Sequence, residues 1–330
     1  MAKDYVFELT ERWVGRVEDI LRRAFPVEQQ PYLNPAIMYH LGTGGKRIRP
    51  VLCLAACEQL GGDPEDALPL AAATEILHNM FLVHDDVEDG DAVRRDQPTL
   101  WAKYGMPNAI NCGDYMLGRA CRLLLDAYRA KPFCVRLLDM FTGTLERTIE
   151  GQALDMNMRG AEDFSVDEYM KIIRLKTGYY LGFAIVGAAV IAGAPAEAER
   201  RLTRLGLLLG PAFQIRDDVL DLTEGKGRGG MIGSDIREGK PSILYAAVLP
   251  HCDFEEQAEL VAIMQKPRED TTPEDVDRVL KIYKKYDITD FALRYANQLI
   301  ESAMETIETA GFKNPDVMKA FARYMIGRKK

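Results

Sequence analysis

At 330 residues the chain is long enough for one large domain or two smaller ones, and no segment reads as a linker, so a single domain is expected. Its composition, 47% hydrophobic and 28% charged, is that of a globular protein able to bury a sizeable core, and helix formers outweigh β-branched runs. A formal net charge of −8 argues against a nucleic-acid partner, and any anionic ligand would need basic residues gathered locally. The cysteines (Cys53, Cys57, Cys112, Cys121, Cys134 and Cys252) lack C-x-x-C spacing and fall in apolar segments, which reads as buried free thiols in a reducing cytoplasm. Cys53 and Cys57 share a helix face, but no nearby His or second Cys pair completes a zinc set. The stretch from Met1 to Arg12 is too charged for a secretory signal.

In chain order, a first helix is expected from Phe7 to Phe25, where Trp13, Val17, Ile20, Leu21 and Ala24 fall on one face. Pro26, Pro31 and Pro35 follow it. The loop Gly42-Thr43-Gly44-Gly45-Lys46-Arg47-Ile48-Arg49-Pro50 then opens an apolar helix that ends at Leu60, before Gly61-Gly62-Asp63-Pro64. From Ala71 to Asp89 the sequence is apolar on nearly every side until its acidic end, the pattern of a fully buried helix with functional groups at its C-terminus. Carboxylates there oppose the helix dipole, so a bound cation is expected to compensate them. Further helices are expected near 113–130, 131–156, 165–175, 177–191 and 196–222. From Gly178 to Ala196 no residue is charged, yet Gly182, Gly187, Gly193 and Pro195 interrupt the run. Small residues allow close helix approach, so this segment reads as a central buried helix and the protein as soluble, not as an integral membrane protein. The glycine-rich, basic stretch 223–233 reads as a flexible loop of lid-like length. Helices at 241–249, 255–265, after the N-cap Thr272 with Pro273 in the first turn, at 290–310 and at 315–326 complete the pattern, with no strand expected.

Two segments repeat one acidic pattern, D-D-x-x-D: Asp85-Asp86-Val87-Glu88-Asp89 and Asp217-Asp218-Val219-Leu220-Asp221. At about 3.6 residues per turn, Asp85 lies over Asp89 and Asp217 over Asp221, so each helix presents a strip of carboxylates. Hard divalent cations such as magnesium take oxygen ligands and commonly share a few carboxylates with substrate phosphates, so the paired strips point to magnesium and diphosphate. A purely structural helical protein would leave these carboxylates uncompensated.

Set beside the basic residues, the acidic strips resemble those of the trans-isoprenyl diphosphate synthases. Five segments carry the resemblance: Gly44-Gly45-Lys46-Arg47-Ile48-Arg49-Pro50; Glu75-Ile76-Leu77-His78 leading into His84-Asp85-Asp86-x-x-Asp89; Arg94-Arg95-Asp96-Gln97-Pro98-Thr99; Gly151-Gln152-x-x-Asp155; and Phe213-Gln214-x-x-Asp217-Asp218-x-x-Asp221 through Gly239-Lys240-Pro241. They stand in the family's order and span roughly positions 40 to 245. The resemblance implies an all-α, single-domain bundle of antiparallel helices around a deep central cavity, the isoprenoid synthase fold. It implies that Asp85, Asp86, Asp89, Asp217, Asp218 and Asp221 hold about three magnesium ions on the diphosphate of an allylic substrate. Lys46, Arg49, His78 and Arg95 would bind isopentenyl diphosphate without metal. Alone, Lys46 and Arg49 would read as a solvated loop and His78 as a structural histidine. Arg94, Lys176 and Lys240 match positions that touch the allylic diphosphate, and Thr177 and Gln214 match polar positions near the reacting carbons, the former at a break in its helix. The implied reaction is ionisation of the allylic substrate, attack by the isopentenyl double bond and loss of a proton.

Two positions depart from the family pattern. Met231 stands where a Lys is usual, with Lys226 and Arg228 on the same loop as substitutes, and Asp96 replaces a Gly after the paired arginines, placing a negative charge beside Arg95. In this family the residues one, two and three turns before the first acidic strip set the floor for the growing chain: here Phe81 and Met80, then Leu77, then Ala73. Phe81 is bulky and Met80 pliable, so geranylgeranyl diphosphate is the expected product, with farnesyl or longer polyprenyl diphosphates as alternatives. A non-catalytic partner subunit would be expected to lose one acidic strip, and a terpene cyclase or diphosphohydrolase needs no second, metal-free diphosphate site. The family also implies a homodimer formed through helices around Asn111–Leu125. The tail Arg328-Lys329-Lys330 reads as a solvated terminus.

Overall fold

The computed structural model describes residues 2–223 and 232–327, so Lys226, Arg228, Met231 and the tail Arg328-Lys329-Lys330 lie outside the described residues. The protein is all-α apart from one small hairpin. Its helices are α1 (Ala2–Ala24), α2 (Asn34–Gly42), α3 (Ile48–Gln59), α4 (Pro64–Glu88), α5 (Leu100–Tyr104), α6 (Met106–Tyr128), α7 (Cys134–Asn157) and α8 (Val166–Ile173), followed by a π-helical turn at Arg174–Gly178. Then come α9 (Tyr179–Ile191), α10 (Ala196–Asp221), α11 (Ser234–Arg237), α12 (Ile243–Val248), α13 (Phe254–Met264), α14 (Pro273–Lys285), α15 (Ile288–Thr309) and α16 (Pro315–Ile326). The chain divides into two compact units: 1–142, 183–203 and 307–324 in one, 143–182, 204–306 and 325–330 in the other.

In the first unit α4 is the central element, packing on α3 and α6 and touching α1 and α5. Its start is well specified: the Asp63 carboxylate accepts from the Glu65 N–H at 2.9 Å, and Pro64 occupies the first turn, where its missing N–H costs nothing. Every residue from Leu70 to Leu77 is buried. Gly187 of α9 lies so close that a β-carbon there would come within 2.8 Å of the Leu70 Cδ2, so a larger residue would have to push the Leu70 side chain aside. The C-terminal end of α4 carries Asp85, Asp86 and Glu88 and no basic residue in its last turn.

Past α4 the chain forms a hairpin in which Val93–Arg94 pairs antiparallel with Gln97–Pro98. The two turn residues, Arg95 and Asp96, have φ of 54° and 60°, the geometry of a tight I′ turn that normally selects Asn and Gly. No strand was expected here, and two residues per arm are too few to show a period of two. Short α5 was likewise absent from the expected elements, and α1 begins five residues earlier than its apolar face suggested.

In the second unit a core around Tyr169, Ile215, Tyr245 and Val279 is closed by the packing of α8, α12, α13 and α14. Capping boxes at Ser165/Glu168, Asp253/Glu256 and Thr272/Asp275 start α8, α13 and α14, the last as its Thr-Pro signature indicated. Gly178 and Gly182 cross Gly206 and Gly210 backbone to backbone: a β-carbon on Gly206 would lie 2.3 Å from the Gly182 Cα, and one on Gly210 2.7 Å from the Gly178 Cα. The small residues of the uncharged segment therefore serve close packing, and among the described residues no helix is long and apolar enough to cross a membrane.

Candidate active site

In the first unit, the acidic end of α4 meets the hairpin. Phe81, Asp85 and Asp89 follow one another at i, i+4 and i+8 on one face, each partly exposed. Asp86 turns inward and is 1% exposed, and its Oδ1 accepts from Arg94 Nε at 2.6 Å. Its Oδ2 is buried without a hydrogen-bond partner. Burial, opposed by Arg94, pushes the Asp86 carboxyl up to about 6. An under-satisfied buried carboxylate between two partly exposed ones is a donor set that suits a hard cation. Among the described residues no group of three His, Cys, Asp or Glu side chains is gathered closely enough to hold a metal ion by itself.

The same unit gathers the basic residues. The Arg49 guanidinium lies 3.2 Å from His78 Nε2, and Arg95 donates to the Gly44 carbonyl. Burial, then Arg49, Arg95 and Arg94, pushes the His78 imidazole well below its ordinary value, so the ring is neutral and its Nε2 accepts from Arg49. His40 of α2, buried beside Arg94, Arg95 and Arg47, is pushed down to about 3, chiefly by desolvation. Lys46 lines a cavity of ≈ 530 Å³ with Val6, Phe7 and Val14 of α1 and Tyr324 of α16. Below the acids on α4, Leu77 and Met80 are fully buried, at 0% and 2% exposure, whereas Phe81 is only partly buried.

In the second unit the second strip is more deeply set, since its last aspartate is buried along with its second. Asp217 is partly exposed, while Asp218 and Asp221 are 2% and 7% exposed. Asp218 accepts from the Tyr169 hydroxyl at 2.7 Å, Gln214 Nε2 at 3.0 Å and the Ile243 N–H at 3.4 Å. Burial and the nearby Asp235 push its carboxyl up to about 6, against Lys240 and the donors. Asp221 accepts from the Asp235 N–H at 3.0 Å, and Asp235 pairs with Lys240 at 3.4 Å.

Lys176 donates to buried Asp155 at 2.8 Å; burial would raise the Asp155 carboxyl, but Lys176 and Lys240 outweigh it and hold it low. Thr177 follows in the π-helical turn. That turn is shaped by absent side chains, because β-carbons on Gly151 and Gly210 would strike the Lys176 N–H and Gly178. The break expected at Lys176-Thr177 is thus a widened helical turn, a form that commonly frees a backbone carbonyl at functional sites.

Several residues of these clusters, His40 and Asp235 among them, carry no role in the sequence reading. Asp155 and Glu75 stand inside quoted motifs, and Arg47 inside the basic loop, but a motif does not say which member faces inward. Tyr169 had no signal, since it reaches Asp218 from 49 positions away.

A family model described as polyprenyl synthetase matches residues 30–285. The geranylgeranyl diphosphate synthase of Sulfolobus acidocaldarius is 35% identical over 324 residues, covering 96% of this chain and 97% of that protein. The enzyme of the same name from Saccharolobus solfataricus is 35% identical over 299 residues, 88% and 89% of the two chains. Among solved structures, the geranylgeranyl pyrophosphate synthetase of Pyrococcus horikoshii Ot3 superposes with a TM-score of 0.88 at 29% identity, covering 99% of each chain. A match that runs through both acidic strips, the basic loop and the hairpin, on the same fold from end to end, establishes that this chain belongs to the polyprenyl synthetase family.

Proposed function

We propose that the protein condenses isopentenyl diphosphate with an allylic diphosphate, head to tail, to make geranylgeranyl diphosphate. The observation that carries this reading is the coexistence of two carboxylate strips with a separate cluster of Arg49, His78 and Arg95, Lys46 standing on the same loop beside α1, a set suited to one metal-bound and one metal-free diphosphate. The names of the relatives support the product. Asp85, Asp89 and Asp217 offer partly exposed oxygens to magnesium, with Asp86, Asp218 and Asp221 behind them. Bound there, magnesium would offset the charge that builds on the departing diphosphate, stabilising the transition state more than the ground state.

The protein groups do the remaining work. Arg forks at Arg49 and Arg95 grip the isopentenyl diphosphate oxygens, Lys46 adds a point charge, and neutral His78 orients Arg49. Arg94, Lys176 and Lys240, each already paired with a carboxylate, hold the allylic diphosphate. Thr177 and Gln214 direct dipoles at the allylic cation without offering a nucleophile that it would alkylate. The isopentenyl double bond attacks that cation, and a proton leaves to form the new double bond. Phe81, Met80 and Leu77 limit the growing chain. We take both units as parts of one catalytic domain, since the family match runs through both, and the enzyme as a cytoplasmic homodimer whose α6 presents exposed Met106, Ile110 and Leu125.

The test is elongation of an allylic primer by the purified protein with and without magnesium. Chelation should abolish turnover, and Asp85→Asn or Asp217→Asn should lower kcat by on the order of 10²–10³-fold with the fold intact. Unchanged turnover in both variants would overturn the assignment of the strips.

A further inference from the structure

Arg47 lies between the two loop residues assigned to the isopentenyl diphosphate, yet its side chain is 5% exposed and turned into the protein. Its backbone has φ of 48°, a left-handed conformation that a bulky side chain adopts only when its surroundings impose it. The guanidinium has four partners: Glu18 of α1 at 2.7 Å, Glu75 of α4 at 2.9 Å, the Leu41 carbonyl at the end of α2 at 2.7 Å and the Gly44 carbonyl at 3.4 Å. Glu75 is itself 2% exposed and is held by Asn79 Nδ2 at 3.0 Å. One buried fork therefore ties the loop to three helices. The same Gly44 carbonyl accepts from Arg95, and Glu75 stands one turn before His78, which meets Arg49.

We propose that Arg47 and Glu75 are a positioning pair that presets the metal-free diphosphate site: Arg47, clamped by Glu75, fixes the 44–49 backbone so that Lys46, Arg49 and Arg95 stand ready to bind isopentenyl diphosphate. The proposal rests on the assignment of that site above. Arg47 itself does not meet the substrate, because its donors are spent on the protein. The pair has a sign that separates positioning from simple electrostatics. Removing the negative charge of Glu75 near an anion site should tighten diphosphate binding if only charge counted; if Glu75 positions Arg47, binding should weaken. Keeping the charge with Lys at position 47 should preserve binding if only charge counted, but an ammonium cannot reproduce the planar fork.

The experiment is steady-state kinetics of the full protein with each substrate varied separately, for Arg47→Lys, Arg47→Gln, Glu75→Gln, the Arg47→Gln/Glu75→Gln double variant, and Lys46→Ala. Each of the three single changes in the pair should raise KM for isopentenyl diphosphate about ten-fold, with allylic KM and kcat within about three-fold of the parent. The double variant should be little worse than either single one, since the two residues act as a unit. Glu18→Gln removes only the more exposed partner and keeps a foldable variant; it should raise the same KM by about two- to three-fold. A parental KM in Arg47→Lys, a lowered KM in Glu75→Gln or Glu18→Gln, or a loss of kcat with unchanged KM would each overturn the positioning role. A Lys46→Ala variant with unchanged KM for isopentenyl diphosphate would instead remove the site assignment on which the proposal stands.

Discussion

His40 and Asp86 are both buried and both feel the charge of Arg94, and they respond to pH with opposite signs. Desolvation, reinforced by Arg94, Arg95 and Arg47, pushes the His40 imidazole down to about 3, against about 6.5 in an unfolded chain. Between those values the unfolded chain binds the extra proton, so the stability that His40 contributes is complete above pH ~6.5 and is lost on acidification. Asp86 and Asp218, each pushed up to about 6, chiefly by burial, bind protons more readily folded than unfolded and so favour the folded state as pH falls toward the ordinary carboxylate range. Comparing the ligand-free protein with His40→Gln isolates one group. From pH 7 to 5 the parent should lose urea stability faster than the variant, with a difference in slope of at most roughly 1.4 kcal/mol per pH unit. Parallel curves would show that His40 is not held neutral. The chemistry of single residues was legible where spacing alone places a side chain: Asp85 over Asp89 needs only helical geometry. What spacing could not show is that the middle aspartate of each strip turns inward, because Arg94 and Tyr169 reach Asp86 and Asp218 only through the fold.

At the scale of elements, the glycines of the π-helical turn, α9 and α10 act as contacts. Gly206 meets Gly182, and Gly210 meets Gly178, so the π-helical turn that carries Lys176 and Thr177 is braced by backbone. Gly206→Ala would gain helix propensity but place its β-carbon 2.3 Å from the Gly182 Cα. The clash should win, at about 1–3 kcal/mol or more of lost stability, read as a lower urea midpoint with unchanged m. A β-carbon on Gly15 of α1 would have nothing within 4 Å, and Gly15→Ala should be neutral or slightly stabilising by comparison. The sequence foretold this crossing in kind, since an uncharged run broken by small residues suits close helix approach. Helix starts were legible where a cap spells them out, as at Thr272, and poorly legible where a helix continues into charged residues, as at α1. The hairpin was missed because its turn uses Arg95 and Asp96 in place of the residues that advertise positive φ.

For the whole molecule, the family fixes the fold and class of reaction, and the product depends on how far a chain can grow before side chains stop it. Leu77 and Met80 are buried in the body of α4, while partly exposed Phe81 shares the face of Asp85 and Asp89. On the proposed function, Phe81 is the side chain a growing isoprenoid would meet first along that face. The loop residue Met231, which stands where the resemblance leads one to expect a Lys, is outside the described residues. The most direct test of the account is to size the dephosphorylated products made from labelled isopentenyl diphosphate and each short allylic primer with magnesium, for the parent and for Phe81→Ala. Geranylgeraniol should be the main product of the parent, with a shift to longer alcohols in the variant. No elongation from any primer, or a parental product of a different length that Phe81→Ala leaves unchanged, would contradict it.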